Sequence, residues 1–190
     1  VAPLFGLFSR ARRLPGTLRP ALERDERVLD WARVGDDGGE RAVVATNRGL
    51  WLPDLAAGVG WTPGPDGRLG WHEVHKAVWS GRELAITPAE LVEERAGYRV
   101  LADGEVRTYL LLDPGNLPHQ VRARVTRSVA YSAHRRLPGG GVRVVARRVP
   151  GVDGLTWTVR YDPGTPAGDA ITEETDRLVA AAQAATQPEL

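Results

Sequence analysis

Apolar positions change their period once along this 190-residue chain. Up to about residue 112 they come in short runs, broken roughly every ten residues by Gly, Pro, Asn or Asp. RVLDWARV (27–34), ERAVVAT (40–46) and GLWLP (49–53) open the series. LGWHEV with KAVWS (69–80) follows as two short strands or one bent strand. ELAIT (83–87), LVEERAGYRVL (91–101) and EVRTYLLL (105–112) complete about seven strands. This rhythm is the signature of an antiparallel sandwich or small barrel. DDGG (36–39) and Asn47-Arg48 read as tight turns, Asn tolerating the left-handed conformation, and Asp103-Gly104 reads as a hairpin turn. Residues 54–67, rich in Gly and Pro, read as a long loop holding Trp61.

Beyond Asp113-Pro114 the period becomes four. Leu117, Val121, Val125 and Val129 form one stripe of a helix over 115–129, with Asn116 as its N-cap and Pro118 in its first turn. Three more strands follow in VAYSAHRRL (129–137), GVRVVARRV (141–149) and LTWTVRYD (155–162), joined by PGGG (138–141) and PGVDG (150–154). A last helix over 169–186 is acidic at its start, as the macrodipole favours. Ile171, Leu178, Ala181, Ala182 and Ala185 supply its apolar face.

With this order in place, two stretches gain meaning. Thr46, Asn47, Arg48 and Leu50 match T-[ND]-R-x-L, and Leu69, Trp71, Glu73 and Val74 match an apolar-W-x-E-V strand. Over about residues 25–128 the chain resembles bacterial pleckstrin-homology-like (PH-like) domains. More closely, it resembles uncharacterised actinobacterial PH-like proteins that pair such a barrel with a C-terminal extension. The resemblance implies an α+β protein, mainly antiparallel. Residues 1–20 are then a tail. Residues 21–129 form a seven-stranded PH-like barrel capped by its helix, and 130–190 a three-stranded sheet with a helix. It implies an interaction role and transfers no catalytic residue.

Composition narrows the setting. The chain has no cysteine, which excludes disulfides and thiolate metal sites and fits a cytoplasmic protein. It also has no methionine, so Val1 reads either as a non-AUG start or as a sign that the true start lies elsewhere. Only Lys76 among the 25 basic residues is lysine, the mark of a GC-rich genome, so arginine abundance alone says little about nucleic acid. No transmembrane segment is expected, because no apolar run approaches roughly 18 residues. Leu4, Phe5, Leu7 and Phe8 precede Arg10, Arg12 and Arg13, the reverse of a signal peptide. They read as a docked tail or a short interfacial helix.

Net charge is +1, yet it is unevenly spread. Residues 114–152 hold eight arginines and no acid, while Glu90, Glu93, Glu94, Asp103 and Glu105 cluster elsewhere. In 155–161, Leu155, Trp157, Val159 and Tyr161 alternate with polar positions. Pairing Val144 with Val159 and Ala146 with Trp157 keeps apolar facing apolar, and sets Arg143 opposite Arg160 and Arg147 opposite Thr156. Across the PGGG turn the same reasoning sets Arg136 opposite Arg143 and Ser132 opposite Arg147. The predicted outer face carries His134, Arg136, Arg143, Arg147 and Arg160, with Thr156 and Thr158; Arg135 and Arg148 turn inward. Like charges opposite one another are unfavourable by up to ~1 kcal/mol, so this row calls for an anion, an acidic partner or an acidic element folded over it. The plain alternative is a solvated basic face, or one neutralised internally by the acidic start of the last helix.

Trp31, Trp51, Trp71 and Trp79 read as core or rim, whereas Trp61 reads as either a partner anchor or a lid. Catalytic patterns are missing. His72 and His75 are three apart in an expected strand, which is not the helical HExxH spacing of zinc enzymes. No nucleophile elbow or phosphate loop occurs, and no metal or cofactor is expected. The expected function is a non-enzymatic cytosolic interaction module of unknown partner, either a protein or an acidic partner. A nucleic-acid-binding accessory role is the first alternative and an enzyme with an unfamiliar site the second. Partner identity and oligomeric state are not encoded in any motif.

Overall fold

The computed structural model describes residues 12–35, 41–55 and 63–186. The expected turn at 36–39, the apolar segment at 4–8 and Trp61 lie outside them. In order, the elements are β1 (Val28–Val34), β2 (Ala42–Thr46), β3 (Gly49–Pro53), β4 (Pro63–Gly70), β5 (Val74–Trp79), β6 (Glu83–Arg95), β7 (Tyr98–Asp103), β8 (Arg107–Leu112), α1 (Leu117–Ser128), β9 (Val129–Leu137), β10 (Gly140–Arg147), β11 (Thr156–Tyr161) and α2 (Asp169–Thr186). The protein is α+β with mostly antiparallel strands. It divides into two compact units. The first comprises Val1–Leu69, Trp79–Leu84 and Tyr109–Val121; the second comprises Gly70–Val78, Ala85–Thr108 and Arg122–Leu190.

In the first unit the strands run β4-β3-β2-β1-β8. Trp31 pairs with Val44, and Val44 with Trp51 on its other side. Leu18, Trp31, Ala42 and Val44 form a buried cluster. Beside it lies a buried carboxylate. Glu26 accepts from Thr46 Oγ1 at 2.6 Å, Trp51 Nε1 at 2.9 Å, Arg68 Nη1 at 2.8 Å and its neighbouring Glu23 N–H at 3.2 Å. Thr46 in turn accepts from the Arg48 and Gly49 amides. The T-N-R segment is thus a clamp that ties residues 23–27 to the β2–β3 hairpin. Asn47 does not use a left-handed conformation, since Asp113 is the one non-glycine with positive φ among the described residues. Its side chain instead accepts the Arg27 N–H at 2.6 Å and donates to the Asp25 carbonyl at 3.2 Å.

Three strand boundaries differ from the sequence reading. Residues 63–67, expected in a loop, belong to β4, which ends the strand order, where a proline's missing N–H is tolerated. ELAIT and LVEER are one strand, β6, and the chain reverses at Ala96-Gly97, where Gly97 has φ +85°. The Asp103-Gly104 turn does not join hydrogen-bonded neighbours, because β7 pairs with β6 and β11. Eight strands rather than seven therefore precede α1 among the described residues. At α1 the Asn116 carbonyl accepts from Gln120 N–H, as an N-cap residue's should.

In the second unit the order is β6-β7-β11-β10-β9, with β5 pairing β6. β11 and β7 are parallel; β6–β7, β10–β11 and β9–β10 are antiparallel. One face of this sheet, with Val100, Val142, Val144, Ala146, Trp157 and Val159, packs on α2. The buried stripe of α2 is Ile171, Thr175, Val179 and Ala182. Ala181 and Ala185, expected on that stripe, are exposed, and Thr175 is inside because its hydroxyl is satisfied. It donates to the Ile171 carbonyl at 2.7 Å and accepts from Tyr161 OH at 3.0 Å. Arg95 reaches both Tyr98 OH and Tyr161 OH, and Tyr98 OH donates to Asp176 at 2.5 Å, fastening the β6–β7 turn to α2. Burial, with Asp176 alongside, pushes the Tyr98 hydroxyl up to about 12.

Candidate anion-binding face

The other face of the second unit's sheet carries the charge. On β10 and β11 the pairs are Arg143 with Arg160, Val144 with Val159, Ala146 with Trp157 and Arg147 with Thr156, which is the register expected from alternation. Arg143, Arg147, Arg160, Thr156 and Thr158 therefore share a face.

The β9–β10 hairpin closes more tightly than expected. Leu137 pairs with Gly140 across Pro138-Gly139, so His134, not Arg136, stands opposite Arg143, and Arg136 stands opposite Gly141. The shift is two residues, an even number, so His134 and Arg136 keep the predicted face. Gly139 has φ +76°. A Cβ at Gly141 would collide with Asp162 and His134, so glycine here lets those two side chains meet.

Neutralisation is partial, and it does not come from the last helix. Asp162, just past β11, bonds His134 Nε2 at 2.7 Å. Asp103, at the end of β7, takes Arg160 Nη1 at 2.5 Å and His75 Nδ1 at 2.8 Å. Burial alone would raise the Asp103 carboxyl, but the bonds from His75 and Arg160 outweigh it and hold the group below its ordinary value. Arg136 and Arg143 are exposed and have no ion-pair partner among the described residues. Arg135 and Arg148, expected to turn inward, are exposed as well.

Arg147 is the exception on this face. Expected to be outward, it is 8% exposed. It donates from Nη1 to Ser128 Oγ at 2.6 Å and from Nη2 to the Val74 carbonyl at 3.4 Å. Residues 71–75 lie against the face there, which local alternation in β10 could not reveal. His72 sits in a one-turn 3-10 helix (Trp71–Glu73) and His75 on β5, so they do not share a strand. Among the described residues no group of His, Asp and Glu is placed to hold a metal.

Burial holds both His72 and His75 below the ordinary histidine value of 6.5, with nearby arginines adding to the effect and Glu73 or Asp103 opposing it. A depressed folded pKa means that the unfolded chain takes up protons first. Stability is then complete above about 6.5 and falls as pH drops through the folded values. We expect the urea midpoint to decline between pH 7 and 5, a window above the carboxylate range. His72→Gln/His75→Gln should flatten that decline; an unchanged slope in the double variant would assign it elsewhere.

Asp103, Asp162, His72 and His75 were not read as parts of the site. Asp103 looked like turn chemistry and Asp162 like a strand end; each becomes visible only when distant strands meet. Among the described residues no helix is long and apolar enough to cross a membrane. Compared with known proteins, the chain matches no family model, no curated protein and no solved structure.

Proposed function

We propose that the protein is a non-enzymatic, cytoplasmic interaction module of the PH-like kind, and that the β9–β10 surface binds an acidic segment of a partner protein. The observation that carries this reading is the pair Arg136 and Arg143, exposed and without carboxylate partners among the described residues, beside His134 and Arg160, which are matched to Asp162 and Asp103, and Arg147, which is buried. Forked guanidinium donors on a rigid sheet suit carboxylates. Among the described residues the tyrosines and tryptophan of these three strands, Tyr131, Trp157 and Tyr161, belong to the core on the opposite side. That favours an acidic protein over single-stranded nucleic acid, which needs aromatic surfaces as well as charge.

The test is binding of a labelled Glu-rich peptide and of duplex DNA across a salt series, with wild type and Arg136→Glu/Arg143→Glu. Peptide binding that weakens about tenfold or more in the variant supports the reading, because opposed like charges repel. Duplex binding that falls log-linearly with salt and vanishes in the variant would move the assignment to nucleic acid. No binding of either at low salt overturns both.

A further inference from the structure

Where Arg147 goes under, the second unit holds a cavity of about 110 Å³. Its polar lining is Arg147, His72, Glu73, Arg99, Thr156 and Thr158. Ala89, Leu91, Leu101 and Val149 complete it as an apolar side. Thr158 Oγ1 donates to the Val145 carbonyl at 3.4 Å, while the Thr156 hydroxyl has no hydrogen bond among the described residues. Arg99 is held by Glu94 at 3.0 Å. One oxygen of Glu73 accepts the Gly70 N–H at 2.7 Å, and the other lies 4.0 Å from His72 Nε2. Among the described residues Arg147 has no carboxylate within ion-pair distance, only a hydroxyl and a distant carbonyl. The imidazole of His72 has no hydrogen bond among the described residues, and its Nδ1 is buried. A buried guanidinium without a counter-ion is costly, and here it borders an open cavity beside an unengaged imidazole.

We propose that this cavity binds a small monocarboxylate with a short apolar tail, its oxygens on Arg147 and on the hydroxyl of Thr156, which pairs with Arg147 across the strands, and its tail against Leu91 and Leu101. Size sets the first limit. An enclosed cavity of about 150 Å³ accepts benzene; this one, of about 110 Å³ and open to solvent past Leu91, covers a carboxylate and a few carbons. Charge sets the second. Glu73 borders the same space and disfavours a dianion such as phosphate. The third limit is the apolar side, which a hydrated inorganic anion would leave unfilled. The cavity uses neither Arg136 nor Arg143, so this site and the proposed protein-binding surface succeed or fail separately.

The probe is sodium butyrate, added to the full chain and followed by amide and methyl NMR shifts and by thermal melting. Inorganic phosphate and 1-butanol serve as charge-only and tail-only controls. Saturable shifts at Leu91, Leu101 and Val149, with a raised melting temperature, are expected for butyrate. Arg147→Lys should weaken binding about tenfold, because lysine lacks the planar fork. Ala89→Met should abolish binding by filling the space while leaving Arg147 in place, which guards against an Arg147 variant that does not fold. Arg143→Glu should leave butyrate binding unchanged. No saturable butyrate binding by wild type overturns the proposal. So does tighter binding of phosphate, or butyrate binding that survives Ala89→Met.

Discussion

Glu26→Ala is expected to cost about 3–5 kcal/mol of folding stability, measured as a lowered urea midpoint. The side chain is fully buried, and four donors converge on it from three parts of the chain. Removing the carboxylate leaves Arg68, itself three-quarters covered, with Glu23 at 2.7 Å as its one carboxylate among the described residues. It also leaves the Trp51 N–H and the Thr46 hydroxyl to find new acceptors, and each unsatisfied buried donor costs about 1–3 kcal/mol. Glu26→Gln keeps the shape and one acceptor oxygen, so it should fall between wild type and alanine. Burial by itself would raise the Glu26 pKa; the bonds from Thr46, Trp51 and the Glu23 amide, with Arg68, outweigh it and bring the folded value below 4.5. The stabilisation is therefore complete above about 4.5 and lost as pH falls through the folded value. In Glu26→Gln that acid-side loss should shrink. A cost below about 1 kcal/mol for Glu26→Ala would mean that water replaces the carboxylate, contrary to the high expense of breaking buried ion pairs.

Glu26 also shows where reading the sequence stops. Thr46, Asn47 and Arg48 stand out through the resemblance to the T-[ND]-R-x-L pattern, at the polar end of an apolar run. Their partner lies in a non-periodic stretch, with nothing nearby to mark it as buried. The contrast with β10 and β11 is physical. Their register was legible because one face is wholly apolar, so a one-residue slip would expose Val144, Val159 and Trp157 together. The hairpin before them was off by two because PGGG admits turns of two or four residues, and an even slip preserves the face. What local periodicity cannot hold is the parallel pairing of β11 with β7, some sixty residues earlier. That pairing brings Asp103 to Arg160 and turns an expected bare row of cations into a partly matched one. The roof over Arg147 was hidden for the same reason, since residues 71–75 approach from a distant part of the chain.

Trp157 is the residue on which the geometry of the arginine face depends. Trp157 is 8% exposed, faces Ala146 across the strand pair and meets the Tyr131 ring at 5.6 Å. Trp157 and Ala146 belong to the buried cluster that includes Ile171, Val179 and Ala182 of α2, so truncation leaves a void that the small Ala146 does not fill. Trp157→Ala should cost about 3–5 kcal/mol. Trp157→Phe should cost less, because much of the ring volume is kept. The consequence for binding follows from the two-sided sheet. Trp157 lies between Thr156 and Thr158, whose side chains look onto the arginine face, so a shift of this strand to fill the void moves both hydroxyls. Hydrogen exchange on Trp157→Ala should therefore rise at β10 and β11 together, and the response of the Leu101 and Val149 methyls to butyrate should weaken even under conditions where the variant is folded. If exchange rises only in α2 while the butyrate response is intact, the two faces are mechanically independent, and the arginine face owes its shape to Asp103 and residues 71–75 rather than to the core beneath it.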